Sequence, residues 1–339
     1  MIIEYKGQRL ETKHYTPITD EEFLKLKEEY YAKPSIEQVK DQLYQISKGG
    51  NQNNKITAYY FKDLMAKVKL YSCKWSVEEV FENKDLVSFF VSKTLENKNV
   101  FTDEMSMIEK LNRAMQIGGK GYAQPPTQFP FKTIDEVLNF YNINDNYYDF
   151  SCGWGVRLTG ALKHKMNYFG TDPNYLLTER LNQLVSDYKS VVRNNTIVDI
   201  RTQGSQYFIP EWENKIGLAF SSPPYFYLED YKIGDQSYKE GTSYSDWKTE
   251  YLKPTFENIY KYLIPDGYFL LNINNFDKFK LVEDSIAIAE SIGFHLVGEH
   301  SLFNIKRCKS SGGFNDNSER ILVFNKNKNK QVREANRLF

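Results

Sequence analysis

The second half of the chain alternates segments typical of buried strands with segments typical of helices, and this alternation restricts the fold more than any other feature. Strand-like segments occur at Ile216–Phe220 and Gly267–Ile273, and helix-like segments occur at Tyr251–Tyr262 and Asp277–Ile292. Strands separated by helices on this scale pair in parallel and are covered on both faces. The pattern predicts an α/β fold built on a doubly wound, mainly parallel sheet.

A polar loop, Ser222-Pro223-Pro224-Tyr225, follows the strand-like segment Ile216–Phe220. Two adjacent prolines remove two backbone donors and restrict φ, so the carbonyls beside them can be aimed at a ligand. The hydroxyl of Ser222, the carbonyl of Pro223 and the ring of Tyr225 can together hold a planar base that carries an exocyclic amino group. Taken alone, the same residues also fit an ordinary loop that contains prolines and connects two secondary-structure elements.

A glycine-rich segment, residues 148–155 (YDFSCGWG), lies between a predicted strand and a predicted helix at Val156–Lys163. Gly153 and Gly155 allow the backbone to approach a ligand closely, and the helix N-terminus supplies unpaired amide donors. The spacing departs from the dinucleotide fingerprint Gly-x-Gly-x-x-Gly, because Leu158 occupies the position of the third glycine. The segment is therefore a candidate ligand loop of another class.

An acidic residue, Asp172, stands at the predicted end of the second strand, just after Met166–Gly170. A carboxylate at this place can accept hydrogen bonds from both ribose hydroxyls of a nucleoside cofactor. A lone aspartate is also common as a turn residue or a helix cap. A third strand is expected within Ser190–Asp199, and it leads towards Gly204-Ser205-Gln206.

The two loops together resemble motifs of the S-adenosylmethionine-dependent DNA methyltransferases that modify the exocyclic amino nitrogens of cytosine or adenine. The catalytic motif corresponds to residues 222–225 (SPPY), and the cofactor loop corresponds to Asp149-x-x-x-Gly-x-Gly. The resemblance covers residues 125–325 and rests on these two short motifs and their separation. It implies the Rossmann-like class I methyltransferase fold, an antiparallel last strand at Arg320–Phe324, and S-adenosylmethionine as cofactor.

The resemblance also implies roles for individual residues. The cofactor-binding residues would be Phe129, Asp149, Ser151, Gly153, Gly155, Asp172 and Gln206, and the catalytic residues would be Ser222, Pro223, Pro224 and Tyr225. Phe129 would lie at the methionine end of the cofactor, Asp172 at the ribose and Gln206 near the adenine. An aromatic residue between prolines can equally anchor a linker, so both interpretations of Phe129 stay open. The target base would be flipped out of a duplex, or supplied by a single strand, and would stack on Tyr225.

Three regions differ in composition. Residues 1–124 show the sequence pattern of a mostly helical module, with helix starts expected at Thr19, Ser35, Ser76 and Thr102. This module either completes the core of the sheet or recognises the target. Residues 125–325 form the predicted catalytic domain, and residues 326–339 form a basic C-terminal tail. A basic loop, Lys306–Gly313, is a second candidate for contacts with phosphates.

Composition is compatible with this assignment and restricts the alternatives. Lys and Arg number 44 and Asp and Glu number 44, so the formal net charge is zero and gives no general attraction to nucleic acid. Three dispersed cysteines and four histidines show no metal-ligand spacing, so we expect no structural metal. The catalytic loop contains no cysteine, which argues against methylation at cytosine C5. Cys152 is expected to be a small buried thiol.

The expected setting is the cytoplasm of a bacterium, or of a bacterial host if the protein is encoded by a phage. No apolar run approaches the roughly 20 residues that span a bilayer, and the N-terminal residues lack a secretory signal pattern. The abundance of Asn, Lys, Tyr and Ile fits an AT-rich genome. A role in restriction-modification and a role in protecting phage DNA both fit.

The sequence leaves the substrate open. Within the family that this chain resembles, a serine at the first position of the catalytic motif favours methylation of cytosine N4 over methylation of adenine N6. RNA, or another planar amine or amide, is an alternative methyl acceptor, because similar loops act on such groups. A non-catalytic nucleic-acid-binding module that keeps the fold is a further alternative.

Overall fold

The computed structural model describes residues 2–96, 100–116, 121–232, 234–239, 241–302 and 319–330. The basic loop Lys306–Gly313 and positions 331–339 of the predicted tail lie outside these residues. No helix in the described ranges has both the length and the apolar character that crossing a membrane requires.

The N-terminal part is mostly helical. Its elements are β1 (Ile2–Tyr5), β2 (Gln8–Glu11), α1 (Asp20–Tyr31), α2 (Ile36–Ser47), α3 (Asn54–Tyr60), α4 (Lys62–Lys67), β3 (Lys69–Leu70), α5 (Val77–Phe81), α6 (Lys84–Glu96) and α7 (Met107–Gln116). Thr19, Ser35 and Ser76 each form a capping box at the start of a helix, as the sequence predicts. The helix start expected at Thr102 is wrong. Helix α7 begins at Met107, because Ser106 and Glu109 exchange the capping hydrogen bonds there.

The second part alternates helices and strands. Its elements are α8 (Phe131–Tyr141), β4 (Asn146–Asp149), α9 (Val156–Lys163), β5 (Asn167–Asp172), α10 (Tyr175–Val191), β6 (Val198–Thr202), β7 (Ile216–Ser221), β8 (Glu229–Asp230), α11 (Tyr244–Trp247), α12 (Lys253–Tyr262), β9 (Leu263–Ile273), α13 (Leu281–Ile292), β10 (His295–Leu302) and β11 (Glu319–Asn325). The third strand, β6, lies further along the chain than predicted. Leu184 and Tyr188 extend the buried face of α10, so this helix continues to Val191.

Within the described residues, one seven-stranded sheet has the order β10-β11-β9-β7-β4-β5-β6. Strands β9, β7, β4, β5 and β6 run parallel, and β11 runs antiparallel to both β9 and β10. The chain builds outward from β4 to β6 and then returns to β7 on the other side of β4. This reversal is the topological switch point of a doubly wound sheet, and ligands bind at the carboxyl ends of the strands there. The predicted fold class and the antiparallel last strand are confirmed.

Side chains alternate between two cores on the two faces of the sheet. Tyr147 and Leu218 face the core that contains α9 and α10, whereas Tyr148 and Ala219 face the core that contains α12. This alternation follows from the two-residue period of a strand. Because both faces are covered, β7 is buried along its whole length.

The N-terminal part packs against this sheet and also has a core of its own. Helices α2, α3 and α4 share the core of α9 and α10, and the Tyr60 hydroxyl donates to Asp187 Oδ2 at 2.7 Å. Helices α1, α5, α6 and α7 surround a separate core that includes Trp75, Phe81 and Phe89. Strand β3 pairs with β8, which lies shortly after the catalytic loop in the chain. The module is therefore joined to the sheet at its helices and through β8, near residues 222–225.

Candidate active site

The two motifs singled out in the sequence lie at neighbouring strand ends. Strand β4 ends at Asp149 and leads into the glycine-rich loop, while the adjacent strand β7 ends at Ser221 and leads into residues 222–225. Both loops leave the carboxyl edge of the sheet on either side of the switch point. The fold therefore brings together two segments that are about seventy residues apart in the chain.

Two adjoining cavities open at this edge. The larger has a volume of about 530 Å³ and the smaller a volume of about 70 Å³. Both are lined by Ser151, Gly153, Pro224, Glu229 and Tyr231. A group held in one cavity therefore lies beside a group held in the other, which is the arrangement that a transfer reaction between two bound molecules requires.

The smaller cavity contains the acidic residue at the end of β5. Asp172 lines it, and its carboxylate accepts hydrogen bonds from the backbone amides of Gly153 at 3.4 Å and Asn174 at 3.0 Å. Burial raises the pKa of Asp172 to about 7, although the hydrogen bonds from the two backbone amides lower it. The carboxylate thus lies in a poorly hydrated place and keeps lone pairs for further donors.

Gln206 brings a polar group to the same cavity. Its Oε1 atom is buried and has no hydrogen-bond partner among the described residues. A Cβ atom at position 204 would lie 2.1 Å from this oxygen, so Gly204 leaves the space that Gln206 occupies. An unpaired buried acceptor beside a cavity is a feature that a ligand donor can satisfy. Asp172 and Gln206 thus present acceptors suited to a nucleoside.

The two glycines of the glycine loop adopt backbone conformations that favour glycine. Gly153 and Gly155 have φ values of 55° and 74°, in the left-handed region that favours glycine. Gly155 is the residue before α9, and a Cβ there would lie 3.0 Å from the Phe61 ring. The loop can therefore turn tightly into the helix while its backbone stays close to the cavities.

Asp149 lies beneath this loop and does not line either cavity. Its buried carboxylate accepts hydrogen bonds from Arg157 Nε at 2.9 Å, from the Tyr168 hydroxyl at 2.8 Å and from Ser221 Oγ at 2.7 Å. These donors come from α9, β5 and β7 respectively. In this structure the Asp149 side chain joins the glycine loop to the end of β7, and its predicted contact with the cofactor stays a prediction.

The sequence prediction did not include Arg157, which lines the larger cavity and is 7% exposed. Besides its bond to Asp149, its Nη2 atom donates to the Ser151 carbonyl. An arginine in the first turn of a helix is disfavoured by the helix dipole. That conflict is the signal in the sequence that the fold compensates the charge of Arg157, but it does not identify the partner.

The larger cavity contains the predicted catalytic loop. Ser222, Pro223, Pro224 and Tyr225 all line it, as does Phe129, whose ring makes an edge contact with Phe220. The Ser222 Oγ atom accepts a hydrogen bond from Asn272 Nδ2 at 2.7 Å. Tyr225 is 6% exposed, and its hydroxyl donates to the Asn272 carbonyl at 3.4 Å. The fold thus places the predicted methionine-end segment and the catalytic loop in one cavity.

The backbone is strained immediately after this loop. Phe226 has a φ of 53°, which is unusual for a bulky residue and costs roughly 1–2 kcal/mol. Its ring packs against several aromatic rings of the following segment, including Tyr238, Trp247 and Phe279. These contacts hold the chain in the conformation that turns it back after Tyr225.

The sequence indicates a flap at Lys232–Ser245 that closes over the substrate. In the structure, residues 235–238 line the smaller cavity, beside Asp172. The Trp247 indole donates to Ser237 Oγ at 3.1 Å, and Gln236 Oε1 accepts from the Tyr231 amide at 3.2 Å. This segment therefore lines the cavity that contains Asp172 rather than the one that contains Ser222.

The N-terminal module contributes to the larger cavity. Leu70, Ser72, Gln116 and Gln124 line it, opposite the glycine and catalytic loops. The backbone pairing of Leu70 with Glu229 connects this wall to the segment that follows the catalytic loop. Contributions of this kind depend on tertiary packing, and no motif in the sequence indicates them.

Cys152 lies in the glycine loop with its thiol buried, as predicted. Burial raises the pKa of this thiol well above its ordinary value. A thiol in this state is a poor nucleophile, because the reactive form is the thiolate.

Comparison with solved structures gives similarities at low identity. A TehB-like SAM-dependent methyltransferase from Corynebacterium glutamicum is 15% identical, with a TM-score of 0.38 over 57% of this chain and 88% of that one. A geranyl diphosphate C-methyltransferase from Streptomyces coelicolor A3(2) is 10% identical, with a TM-score of 0.44 over 68% and 88%. An S-adenosylmethionine-dependent methyltransferase from Clostridium acetobutylicum is 12% identical, with a TM-score of 0.39 over 58% and 92%.

Comparison with curated protein sequences finds no match. A family model described as DNA methylase, of the N6/N4 amino-methyltransferase type, matches residues 216–338. The matched region begins at the first residue of β7, includes residues 222–225 and continues through β9 and β11. It excludes the glycine loop and Asp172, which precede it in the chain. Residues 216–338 are therefore similar to the N6/N4 amino-methyltransferase family of DNA methylases, and over this range the match confirms the family resemblance drawn from the sequence.

Proposed function

We propose that this protein transfers a methyl group from S-adenosylmethionine to the exocyclic amino nitrogen of a base in DNA. Cytosine N4 is favoured over adenine N6, because the catalytic loop begins with Ser222. The smaller cavity would hold the adenosine part of the cofactor, and the larger cavity would hold its methionine part together with the target base. The observation that carries the proposal is that the loop at residues 222–225 lines the larger cavity and also reaches the smaller one through Pro224.

The residues of the smaller cavity fit an adenosyl group. Asp172 can accept hydrogen bonds from both ribose hydroxyls, and Gln206 Oε1 is a buried acceptor without a partner among the described residues. A volume of about 70 Å³ is far below the roughly 300 Å³ at the lower end of ligand sites. Residues 235–238 would therefore have to move outward when the adenosyl group enters. S-adenosylmethionine, when bound, supplies an electrophilic methyl group.

The residues of the larger cavity would orient the amino group of the base. Ser222 Oγ and the Pro223 carbonyl would accept its N–H groups, which directs the nitrogen lone pair away from the loop. Tyr225 would provide a face on which the base stacks. Much of the rate enhancement would come from this alignment and from the exclusion of water between the loop and the N-terminal module.

DNA would be bound at the carboxyl edge of the sheet, with the target base flipped into the larger cavity or supplied by a single strand. The backbone pairs Leu302 with Glu319 and Arg320 with Ile273, so the chain leaves and re-enters the sheet at this edge. The sequence between Leu302 and Glu319 contains Lys306, Arg307 and Lys309. These cations are candidates for contacts with phosphates. Such contacts would allow DNA to bind despite a net charge of zero.

The proposal is tested by incubating the protein with S-adenosylmethionine and unmethylated DNA, digesting the DNA to nucleosides and analysing them by mass spectrometry. N4-methylcytosine or N6-methyladenine should appear with the wild-type protein. Ser222→Ala should lower the yield by about tenfold to a thousandfold, because one positioned polar group is lost. The same variant should bind S-adenosylmethionine as the wild type does. An equal loss of cofactor binding would contradict the role given to Ser222.

The same assay separates the other candidate functions. Duplex DNA, single-stranded DNA and RNA are offered in competition, and a methylated nucleoside only from RNA would replace DNA as the substrate. Binding of S-adenosylmethionine is measured by calorimetry. Protein that shows no binding would be a non-catalytic module of the same fold.

A further inference from the structure

We propose that Asn272 is a second polar group that recognises the target amino group, through its side-chain Oδ1 atom, while its Nδ2 atom orients Ser222. This inference rests on the proposed function, because it assigns a role in binding the base. Asn272 is 1% exposed and lines the larger cavity together with residues 222–225. The family region includes it, but none of the motifs described above does.

The register of the sheet brings Asn272 to the catalytic loop. Strands β7 and β9 are parallel neighbours in which Ser221 pairs with Leu271. The next residues along each strand, Ser222 and Asn272, therefore lie side by side at the carboxyl edge. Leu271 faces the core that contains α12, so Asn272 points to the opposite face of the sheet. That face borders the larger cavity.

The two polar atoms of the Asn272 amide have different surroundings. Nδ2 donates to Ser222 Oγ at 2.7 Å, whereas Oδ1 is buried and has no partner in the described part of the chain. A buried oxygen without a donor is uncommon and costs free energy, because it has lost its hydrogen bonds to water. A donor supplied by a ligand would satisfy it. An exocyclic amino group is a donor of that kind.

The pair Asn272 and Ser222 then matches one particular edge of a base. In this refined assignment Oδ1 replaces Ser222 Oγ as the acceptor of one amino N–H, and the Pro223 carbonyl keeps the other. Ser222, which accepts from Asn272, donates its own O–H to a ring nitrogen. Cytosine presents an amino group beside the acceptor N3, and adenine presents one beside the acceptor N1. Uracil and hypoxanthine present an oxygen beside an N–H, which is the reverse pattern. The pair therefore selects amino-bearing bases over their oxo counterparts without distinguishing cytosine from adenine.

Binding of nucleosides tests this assignment without requiring catalysis. Deoxycytidine is compared with deoxyuridine, and deoxyadenosine with deoxyinosine, by ligand-observed NMR at millimolar concentration with S-adenosylhomocysteine present. The wild-type protein should prefer the amino member of each pair by about tenfold to a hundredfold, the value of one satisfied buried group. Asn272→Ala should remove most of this preference. Absence of a preference in the wild type, including absence of any binding, overturns the assignment.

The matched controls separate recognition from folding. Ser285→Ala removes another buried oxygen that has no partner among the described residues, in α13 and away from both cavities, and should leave the preference unchanged. Asn272→Asp keeps an acceptor at Oδ1 but introduces a carboxyl group. The Ser222 O–H should then turn to the carboxylate, because the Nδ2 donor is lost. The preference at neutral pH should therefore lie between those of the wild type and Asn272→Ala, and it should fall as the carboxyl is protonated. If Asn272 has a purely structural role, the preference of Asn272→Asp should not change with pH. If the wild-type protein prefers the oxo bases, Nδ2 rather than Oδ1 faces the cavity. Either result overturns the proposal.

The outcome is independent of whether DNA is methylated. If the wild-type protein methylates no DNA but still prefers amino-bearing nucleosides, the assignment of Asn272 stands and the choice of DNA is wrong. If DNA is methylated but neither the preference nor the yield changes in Asn272→Ala, the proposed function stands and the assignment of Asn272 is wrong.

Discussion

Arg157 Nε donates to Asp149 Oδ2 at 2.9 Å, and both side chains are buried beneath the glycine loop. The arginine comes from the first turn of α9 and the aspartate from the end of β4. Asp149 also accepts from Ser221, the last residue of β7. One buried ion pair thus connects the candidate cofactor loop to the strand that carries the candidate catalytic loop.

Arg157→Ala should destabilise the protein by about 3–5 kcal/mol, because it leaves the Asp149 carboxylate buried without its cation. Unfolding in urea, followed by circular dichroism, measures the change. Arg201→Ala is the control, since it breaks the exposed pair between Arg201 and Asp199 and should cost less than about 1 kcal/mol. Equal losses in the two variants would show that the buried pair has no special role in stability.

Binding of S-adenosylmethionine should strengthen as pH rises. The pKa of Asp172 is raised to about 7 by burial, so the carboxyl group of the free protein is largely protonated at about pH 6. Ribose hydroxyls bind best to the ionised form, which accepts both of them. The affinity should increase about tenfold from about pH 6 upward and level off above about pH 7. Calorimetry at several pH values measures it.

Asp172→Asn is the control for this pH dependence. The amide does not titrate, so the variant should bind more weakly at about pH 8 and show a flat profile from about pH 6 to pH 8. A profile in Asp172→Asn that still rises with pH would assign the effect to another group.

Gly155→Ala should destabilise the protein more than Gly7→Ala. Both glycines have nearly the same φ, 74° and 72°, so each substitution incurs roughly 1–2 kcal/mol of backbone strain. At Gly7 a Cβ atom meets nothing within 4 Å, whereas at Gly155 it meets the Phe61 ring at 3.0 Å and Leu181 at 3.2 Å. The crowding should add about 1–3 kcal/mol. Thermal unfolding of the two variants gives the difference, and similar losses would mean that the ring of Phe61 moves aside freely.

Tyr225→Leu should lower methyl transfer more than Tyr225→Phe. Phenylalanine keeps the aromatic face and loses the hydroxyl, which donates to the Asn272 carbonyl at 3.4 Å. Leucine fills the buried site but offers no face for stacking, which should reduce kcat/KM about tenfold to a hundredfold. Rates are measured with unmethylated DNA, and thermal unfolding confirms that both variants fold. Similar rates for the two variants would exclude stacking on Tyr225.

A chain that begins at residue 125 should fail to fold. Val39, Leu43 and Ile46 of α2 belong to the core shared with α9 and α10, so their removal exposes the apolar surface of both helices. A chain that begins at Ser35 loses only β1, β2 and α1, which pack on the separate N-terminal core, and should still bind S-adenosylmethionine. Circular dichroism and calorimetry compare the two chains. A folded chain from residue 125 would make residues 1–124 an independent module.

Local patterns in the sequence were sufficient to predict the sheet and the two motifs. Alternating strands and helices predict a doubly wound sheet, because buried strands and amphipathic helices have different periods along the chain. The capping serines and threonine mark helix starts for a similarly local reason, since each bonds to an amide three residues away. The Thr102 prediction was wrong because Ser106 offers the same local signal with a reciprocating Glu109. The order of cofactor loop, ribose acid and catalytic loop is likewise a property of the sequence.

The tertiary structure decided which residues share a site. Ser222 and Asn272 are neighbours only because β7 and β9 pair in one register, and no spacing in the chain encodes that contact. Asp149 is predicted from sequence to contact the cofactor, yet its carboxylate lies among donors from three elements beneath the loop. The wall formed by Leu70 and Gln124 depends on how the N-terminal module packs. Such contacts join residues that are far apart in sequence, and their free energy comes from burial and pairing that exist only in the folded chain.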